Sequence, residues 1–394
     1  MEHLPYPVID ADQHFYEEPE SFLRHLPKKY SKAIQYVNVN GRVRLAVGGV
    51  ISDYIPNPTF DKVAAPASTK EWYLGNNPEG KTFREFIDKI SDCTPGWRTG
   101  PERLKELDEL GYDGSLMFPT LVSAVEERLA NYNLEATTAI MHSLNQWMLD
   151  EWGFNNKDRI YAAPVITLAD LDWAVKEVDW AIKNGARTVL IRPAPVPNVA
   201  GSRSPAFEEF DPFWARINES KIFVTMHASD SGYDKFARMW TGGTEYLPFE
   251  PDPFSVALKP SARAINDMMT ALICHGLFDR HPDVRIAAME NGSAWVGECI
   301  EGLKKVQKMF PKHFKRDVEE QFREHIYVAP FFEDELDTLK DLIGPERVLF
   351  GSDYPHPEGV QYPQEFLETL GGYTAEEQRM VMGGNLRQLL DRAA

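Results

Sequence analysis

Eight short apolar runs punctuate the chain, each flanked by turn-forming residues and most rich in β-branched side chains. They fall at 8–14, 114–120, 160–166, 188–194, 222–228, 285–292, 325–332 and 348–356. Most runs are continuously apolar rather than alternating, which predicts strands buried on both faces, as in a parallel sheet covered by helices. Helical periodicity fills the intervals, over 101–110, 124–152, 169–184, 206–219, 261–280, 294–309 and 333–343. After the last run, Thr374-Ala375-Glu376-Glu377 reads as a capping box that opens a terminal helix. Strand and helix thus alternate eight times, and the predicted fold is α/β, a (β/α)8 TIM barrel. A doubly wound open sheet is the competing architecture.

Two stretches exceed ordinary connections. Residues 15–100 follow the first strand and are rich in Pro, Gly and aromatics; residues 229–260 follow the fifth. Both leave the carboxyl end of a strand, the face where barrel enzymes keep their chemistry. Insertions of this length are expected to act as lids or as oligomer arms. Without a repeat, a low-complexity tract or a linker to divide it, the chain 1–394 is expected to be a single barrel domain carrying these two insertions.

Composition narrows the partners. Sixty acidic against 42 basic residues give a formal charge of -18, which argues against nucleic acid or an anionic membrane. At 43% hydrophobic residues, a large core is available. Cys93, Cys274 and Cys299 are few and far apart, so neither a disulfide framework nor a zinc knuckle is expected. The start of the chain lacks the basic-then-apolar pattern of a signal peptide, and no apolar run reaches transmembrane length, so a soluble cytoplasmic protein is the expectation.

Ionisable residues gather where the strands end. The first strand offers Asp10, Asp12 and His14, which strict alternation would place on one face. The fourth offers Arg192, the fifth His227, the sixth Glu290 and the eighth Asp353, with His356 just beyond. Two imidazoles and several carboxylates around one barrel mouth suit a divalent transition metal. Each residue alone has a plainer reading: a hydrogen-bonded strand end for Asp12 and His14, a core histidine for His227, an Asx turn for Asp353, a salt bridge for Glu290. Convergence at one mouth is what favours the ligand reading. Arg192 either grips a substrate carboxylate or pairs with Asp10. His142 sits mid-helix and His275 about 21 Å down a helix from the mouth, so neither is expected to take part.

The segments Ile9-Asp10-Ala11-Asp12-Gln13-His14, Phe278-Asp279-Arg280-His281-Pro282-Asp283, Glu290-Asn291-Gly292 and Gly351-Ser352-Asp353-Tyr354-Pro355-His356, together with His227, carry a family resemblance. Over nearly its whole length the chain resembles the metal-dependent amidohydrolase superfamily, in the branch of the aminocarboxymuconate semialdehyde and resorcylate decarboxylases. The resemblance implies a metal on Asp12, His14, His227 and Asp353; on the residues themselves, Glu290 or Asp353 is expected to shuttle a proton, His356 to donate to a developing anion and Arg192 to orient a substrate carboxylate. One departure stands out: Glu290 occupies the place where those decarboxylases carry a catalytic histidine. It can serve as base or as a ligand to a second metal, for which Asp10 and His356 are the other candidates. Arg192 in the fourth strand leaves no lysine there for a carbamate bridge.

The leading expectation is a metal-dependent hydrolase or non-oxidative decarboxylase of a small organic acid or amide. Its cofactor would be a divalent ion (Zn, Mn or Fe), one or two per chain. Two alternatives are a dinuclear non-haem Fe or Fe/Mn oxygenase on the same fold, and a degenerate subunit that supports an active paralogue. The expected partners are a small-molecule substrate and further subunits, either copies of this chain or a paralogue, with no nucleic acid and no membrane.

Overall fold

The computed structural model describes residues 3–52, 54–87, 89–242 and 251–393. Seven of the eight apolar runs form parallel strands: β1 (Ile9–Phe15), β2 (Gly114–Pro119), β3 (Ile160–Ala162), β4 (Thr188–Leu190), β5 (Phe223–His227), β6 (Ile286–Met289) and β7 (Ile326–Val328). β1 to β3 form one ladder and β4 to β7 another. Two seams join them. Between β3 and β4, Ile166 donates to the Leu190 carbonyl at 2.9 Å and Leu190 to that of Pro164 at 2.8 Å.

The eighth run closes the ring without forming a continuous strand. Leu349 N–H reaches the Val328 carbonyl at 2.9 Å on one side. On the other, Ala11 donates to Phe350 and His14 to Tyr354, both at 2.7 Å, and Asp353 donates to Asp12 at 2.8 Å. The result is a (β/α)8 TIM barrel. Its wall residues, such as Val189, Val224, Ala287 and Val328, are fully buried, as expected for strands covered on both faces.

The helices largely follow the periodic stretches. The exception is 124–152, which breaks into a 3-10 turn at Leu121–Ala124, a short helix at Glu126–Leu129 and a long one at Leu134–Glu151. Asn133 restarts the helix there by accepting from Ala136 N–H at 3.1 Å. The terminal capping box forms as expected: Thr374 accepts from Glu377 N–H, and the Glu377 carboxylate accepts from Thr374 N–H at 2.7 Å.

The first insertion has structure of its own. Ile34–Val39, Arg42–Val47 and Val50–Ile51 form an antiparallel meander, and Lys62–Ala64 pairs with Ile90–Asp92. In the second, helices Asp234–Thr241 and Pro253–Leu258 flank residues 243–250, which lie outside the described residues. Both insertions leave the carboxyl ends of their strands, above the barrel mouth. Among the described residues no helix is long and apolar enough to cross a membrane.

Candidate active site

β1 does not run with strict alternation. Asp10 pairs with Ser115 and Gln13 with Met117, so one extra residue is accommodated between them as a β-bulge. This corrects the expectation that Asp10, Asp12 and His14 share a face. The buried Asp10 carboxylate accepts from Gln13 Nε2 at 2.8 Å and from the Ser352 and Asp12 N–H groups at 3.0 Å each, and the Ser352 hydroxyl adds a further bond. Its oxygens are spent on tying β1 to the closing segment, and burial pushes its pKa up to about 7. Asp10 is a fastener of the barrel seam.

The bulge leaves Asp12 and His14 at the mouth. His14 Nε2 and His227 Nε2 face each other at 3.0 Å. Asp12 Oδ1 lies 3.2 Å from His227 Nε2 and 3.6 Å from His14 Nε2, and Asp353 Oδ1 lies 3.5 Å from His14 Nε2. The ring orientations are fixed from behind: His227 Nδ1 meets the Ala228 carbonyl at 2.8 Å, and His14 Nδ1 meets Thr120 Oγ1 at 3.2 Å. Asp12, His14 and His227 thus offer one ligand atom each within a 4.8 Å group. Two further groups interlock with it, one of His14, Asp353 and His356, the other of Glu290, Asp353 and Glu358.

The electrostatics match a site built for a cation. Burial drives the His14 pKa well below its usual value, and the charges of His356 and His227 add to that. Against the same burial, Asp12 and Glu290 push His227 up to about 9. Two imidazole nitrogens 3.0 Å apart accommodate a single proton between them. Burial also raises Glu290 and Asp353 well above the carboxylate range, and neighbouring charge adds to it, from Asp353 on Glu290 and from Glu358 and Asp12 on Asp353. Four carboxylates crowd a buried mouth that has too little positive charge of its own. The nitrogen and oxygen donor set fits a borderline divalent ion.

Glu290 and Asp353 follow their strands in the left-handed region, at φ 52° and 58°. Such angles are costly away from glycine and turn each side chain back over the mouth. His356 stacks on His14 at 4.1 Å between ring centres, and its Nδ1 meets Asp353 Oδ1 at 2.8 Å. Arg192 sits elsewhere than either expectation placed it. Its guanidinium donates to Glu127 at 2.7 Å and to the Asp230 carbonyl at 3.0 Å, with Glu126 at 3.7 Å, so the pairing with Asp10 does not form. It lines a small chamber behind His227 rather than the main cleft. His142 and His275 are spent elsewhere, on Glu177 and Ser204 at 2.8 Å.

Three contributors escaped the sequence reading. Glu358 joins the cluster because loop 352–360 folds back sharply: Val360 N–H reaches the Ser352 carbonyl at 2.9 Å, and a Cβ on Gly359 would collide with that oxygen at 2.0 Å. Its closeness in sequence to His356 was the available signal. Buried Arg103, from helix Gly100–Leu110, donates to the His14 carbonyl at 2.7 Å and to Gln13 Oε1 at 2.9 Å, bracing the end of β1. Tyr16 stacks between Phe60 and His356 and lines the cleft. The cleft itself has a volume of about 360 Å³, with His14, His227, Glu290, His356 and Glu358 at its floor. Its upper walls come from the first insertion.

Comparison with known proteins agrees with this geometry. The Amidohydrolase family model matches residues 9–392. A solved amidohydrolase from Mycobacterium avium subsp. paratuberculosis K-10 is 38% identical, covering 98% of this chain and all of that one, with a TM-score of 0.92. A gamma-resorcylate decarboxylase from Rhodococcus jostii is 25% identical over 297 residues, which cover 71% of this chain and 84% of that protein. A dihydroxybenzoic acid decarboxylase from Polaromonas sp. JS666, solved with bound manganese and 2-nitroresorcinol, shares the fold at 16% identity. Its TM-score is 0.59, covering 98% of this chain and 97% of that one. The chain belongs to the amidohydrolase family and is a metal-dependent enzyme of its hydrolase and lyase class.

Proposed function

We propose that the enzyme performs a non-oxidative decarboxylation, or failing that a hydrolysis, on an organic acid, with a divalent ion held by Asp12, His14, His227 and Asp353. The carrying observation is the meeting of two imidazole nitrogens and two carboxylates from β1, β5 and the closing segment within hydrogen-bonding range. A bound divalent ion would supply a Lewis acid for a substrate oxygen and lower the pKa of a coordinated water. Glu290, whose carboxyl is pushed well above the usual carboxylate range by burial and by its acidic neighbours, faces the cleft and is the group to carry the proton. Asp353 anchors His356 at 2.8 Å, which places that imidazole to stabilise a developing anion. Arg192 acts at one remove, holding Glu127 and the Asp230 backbone beside β5. The named activities of the decarboxylase relatives make aromatic acids the first substrates to try.

The test is metal content by elemental analysis, paired with CO2 release from 2,6-dihydroxybenzoate and other aromatic acids, for the wild type and His227→Ala. One manganese or zinc per wild-type chain, lost together with turnover in the variant, supports the reading. A variant that keeps its metal and its rate sinks it. The group formed by Glu290, Asp353 and Glu358 favours a second reading, in which two ions share Asp353 and the enzyme is an oxygenase. That reading requires nearly two metals per chain, including iron, and substrate-dependent oxygen uptake with a reductant.

A further inference from the structure

The cleft is larger and more apolar than a one-ring acid requires. An apolar cavity of about 150 Å³ is enough to hold benzene, whereas this one measures about 360 Å³. Its chemistry is also layered. The floor is the cluster of imidazoles and carboxylates. Above it stand Tyr54, Ile55, Phe60, Val63, Ile87 and Ile90, all from the first insertion. At the exposed mouth lie Lys62 and Arg84, the only ammonium and guanidinium groups among the described residues that line the cleft. Lys62 pairs with Asp92 at 2.7 Å, but both side chains are exposed, and such a pair is held weakly enough to exchange for a ligand.

We infer that the substrate is an elongated organic acid. Its reacting group lies at the cluster, an apolar body the size of two fused rings fills the insertion walls, and a second anionic group meets Lys62 and Arg84 at the mouth. The placement of the reacting end rests on the proposed function; the size and the far charge rest on the cleft. A chain of net charge -18 with the carboxyl groups of Glu290 and Glu358 at the floor of its cleft repels an anion approaching from outside. Cations at the entrance offset that repulsion where the ligand first makes contact. The apolar walls then reward a longer body, because each additional buried carbon group adds roughly 0.8 kcal/mol of transfer free energy, about fourfold in affinity.

The experiment is calorimetric binding of benzoate, 2-naphthoate and naphthalene-2,6-dicarboxylate to the manganese-loaded full chain, to the metal-depleted chain, and to the Lys62→Ala/Arg84→Ala variant. We expect 2-naphthoate to bind at least tenfold tighter than benzoate, and the dicarboxylate three- to tenfold tighter again. The double variant should lose only the second gain. Equal affinities for benzoate and 2-naphthoate would overturn the elongated body. A second gain that is absent, or that survives in the double variant, would overturn the anionic mouth. Metal-dependent benzoate binding with no gain for naphthoate defeats this inference and leaves the proposed function standing. Gains that persist unchanged without metal do the reverse.

Discussion

Glu17, just past the end of β1 and outside the candidate metal cluster, allows a stability experiment whose size can be worked out in advance. It is fully buried; Oε1 accepts from Leu121 N–H at 2.7 Å, while Oε2 has no partner. Burial raises its pKa from 4.5 to about 7, despite the backbone donors and Arg98. The folded chain therefore holds a proton that the unfolded chain has released between those two values. Stability is full below pH 4.5 and is lost as pH rises towards about 7. At about 1.4 kcal/mol per pH unit, the loss is ~3 kcal/mol.

Glu17→Gln keeps the shape and the acceptor for Leu121 but cannot ionise. The Tyr36 hydroxyl, which is also buried without a partner, interacts electrostatically with Glu17. Urea unfolding of the two proteins should coincide near pH 4.5 and separate above pH 7, with the variant more stable by ~3 kcal/mol. Other raised carboxyls, Asp230 at about 6 and Glu333 at about 7, titrate in both proteins and cancel in the difference. Parallel midpoints from pH 4.5 to 8.5 would refute the reasoning, and would mean that the orphaned oxygen is solvated.

Three further outcomes follow from the site. Glu290→Gln should keep metal bound and lower turnover by about 10²- to 10⁴-fold, as removal of a general acid does; a fall in metal content from two ions to one would instead make Glu290 a ligand. Gly351→Ala would set a methyl carbon 2.9 Å from Asp12 Cβ, so metal affinity measured by chelator competition should drop about 10- to 100-fold, and an unchanged affinity would remove Asp12 from the ligand set. Asp10→Asn places an N–H₂ against donors that now converge on a carboxylate, and should cost about 1–3 kcal/mol in urea unfolding. A neutral result would mean that the seam holds without it.

The barrel was legible because its signal is repeated. Eight apolar runs of the right length, separated by helical stretches, leave few architectures open, and each strand adds to the same conclusion. The candidate ligands on β1 and β5 were brought together at the mouth for a related reason: a strand end points its last side chains there whatever the loops do. Asp10 was misplaced because a single extra residue in a β-bulge reverses the face of everything beyond it, and nothing in Asp10-Ala11-Asp12-Gln13 marks where the slip occurs. Arg192 was misplaced because a long side chain settles on the nearest carboxylates. Those are Glu126 and Glu127, on a helix whose break at Asn133 the periodicity concealed.

Glu290 and Asp353 show where local pattern gives way to tertiary structure. Both were picked out as strand-end acids, but their placement depends on left-handed backbone angles, which cost a non-glycine residue on the order of 1–3 kcal/mol and are less foreign to Asp353 than to Glu290. The surroundings of each supply bonds that fix the turn. Beside Glu290, the Asn291 amide donates to the Met226 and Met289 carbonyls, tying β5 to β6. Beside Asp353, Ser352 is held by Asp10, and the tight return at Gly359 closes the loop. The Asp10 fastener and the site carboxylate Asp353 are therefore parts of one construction. Residues that contribute no ligand atom hold the backbone in the conformation that brings the carboxylates together, and the same backbone turn brings in Glu358, which no strand pattern could have shown.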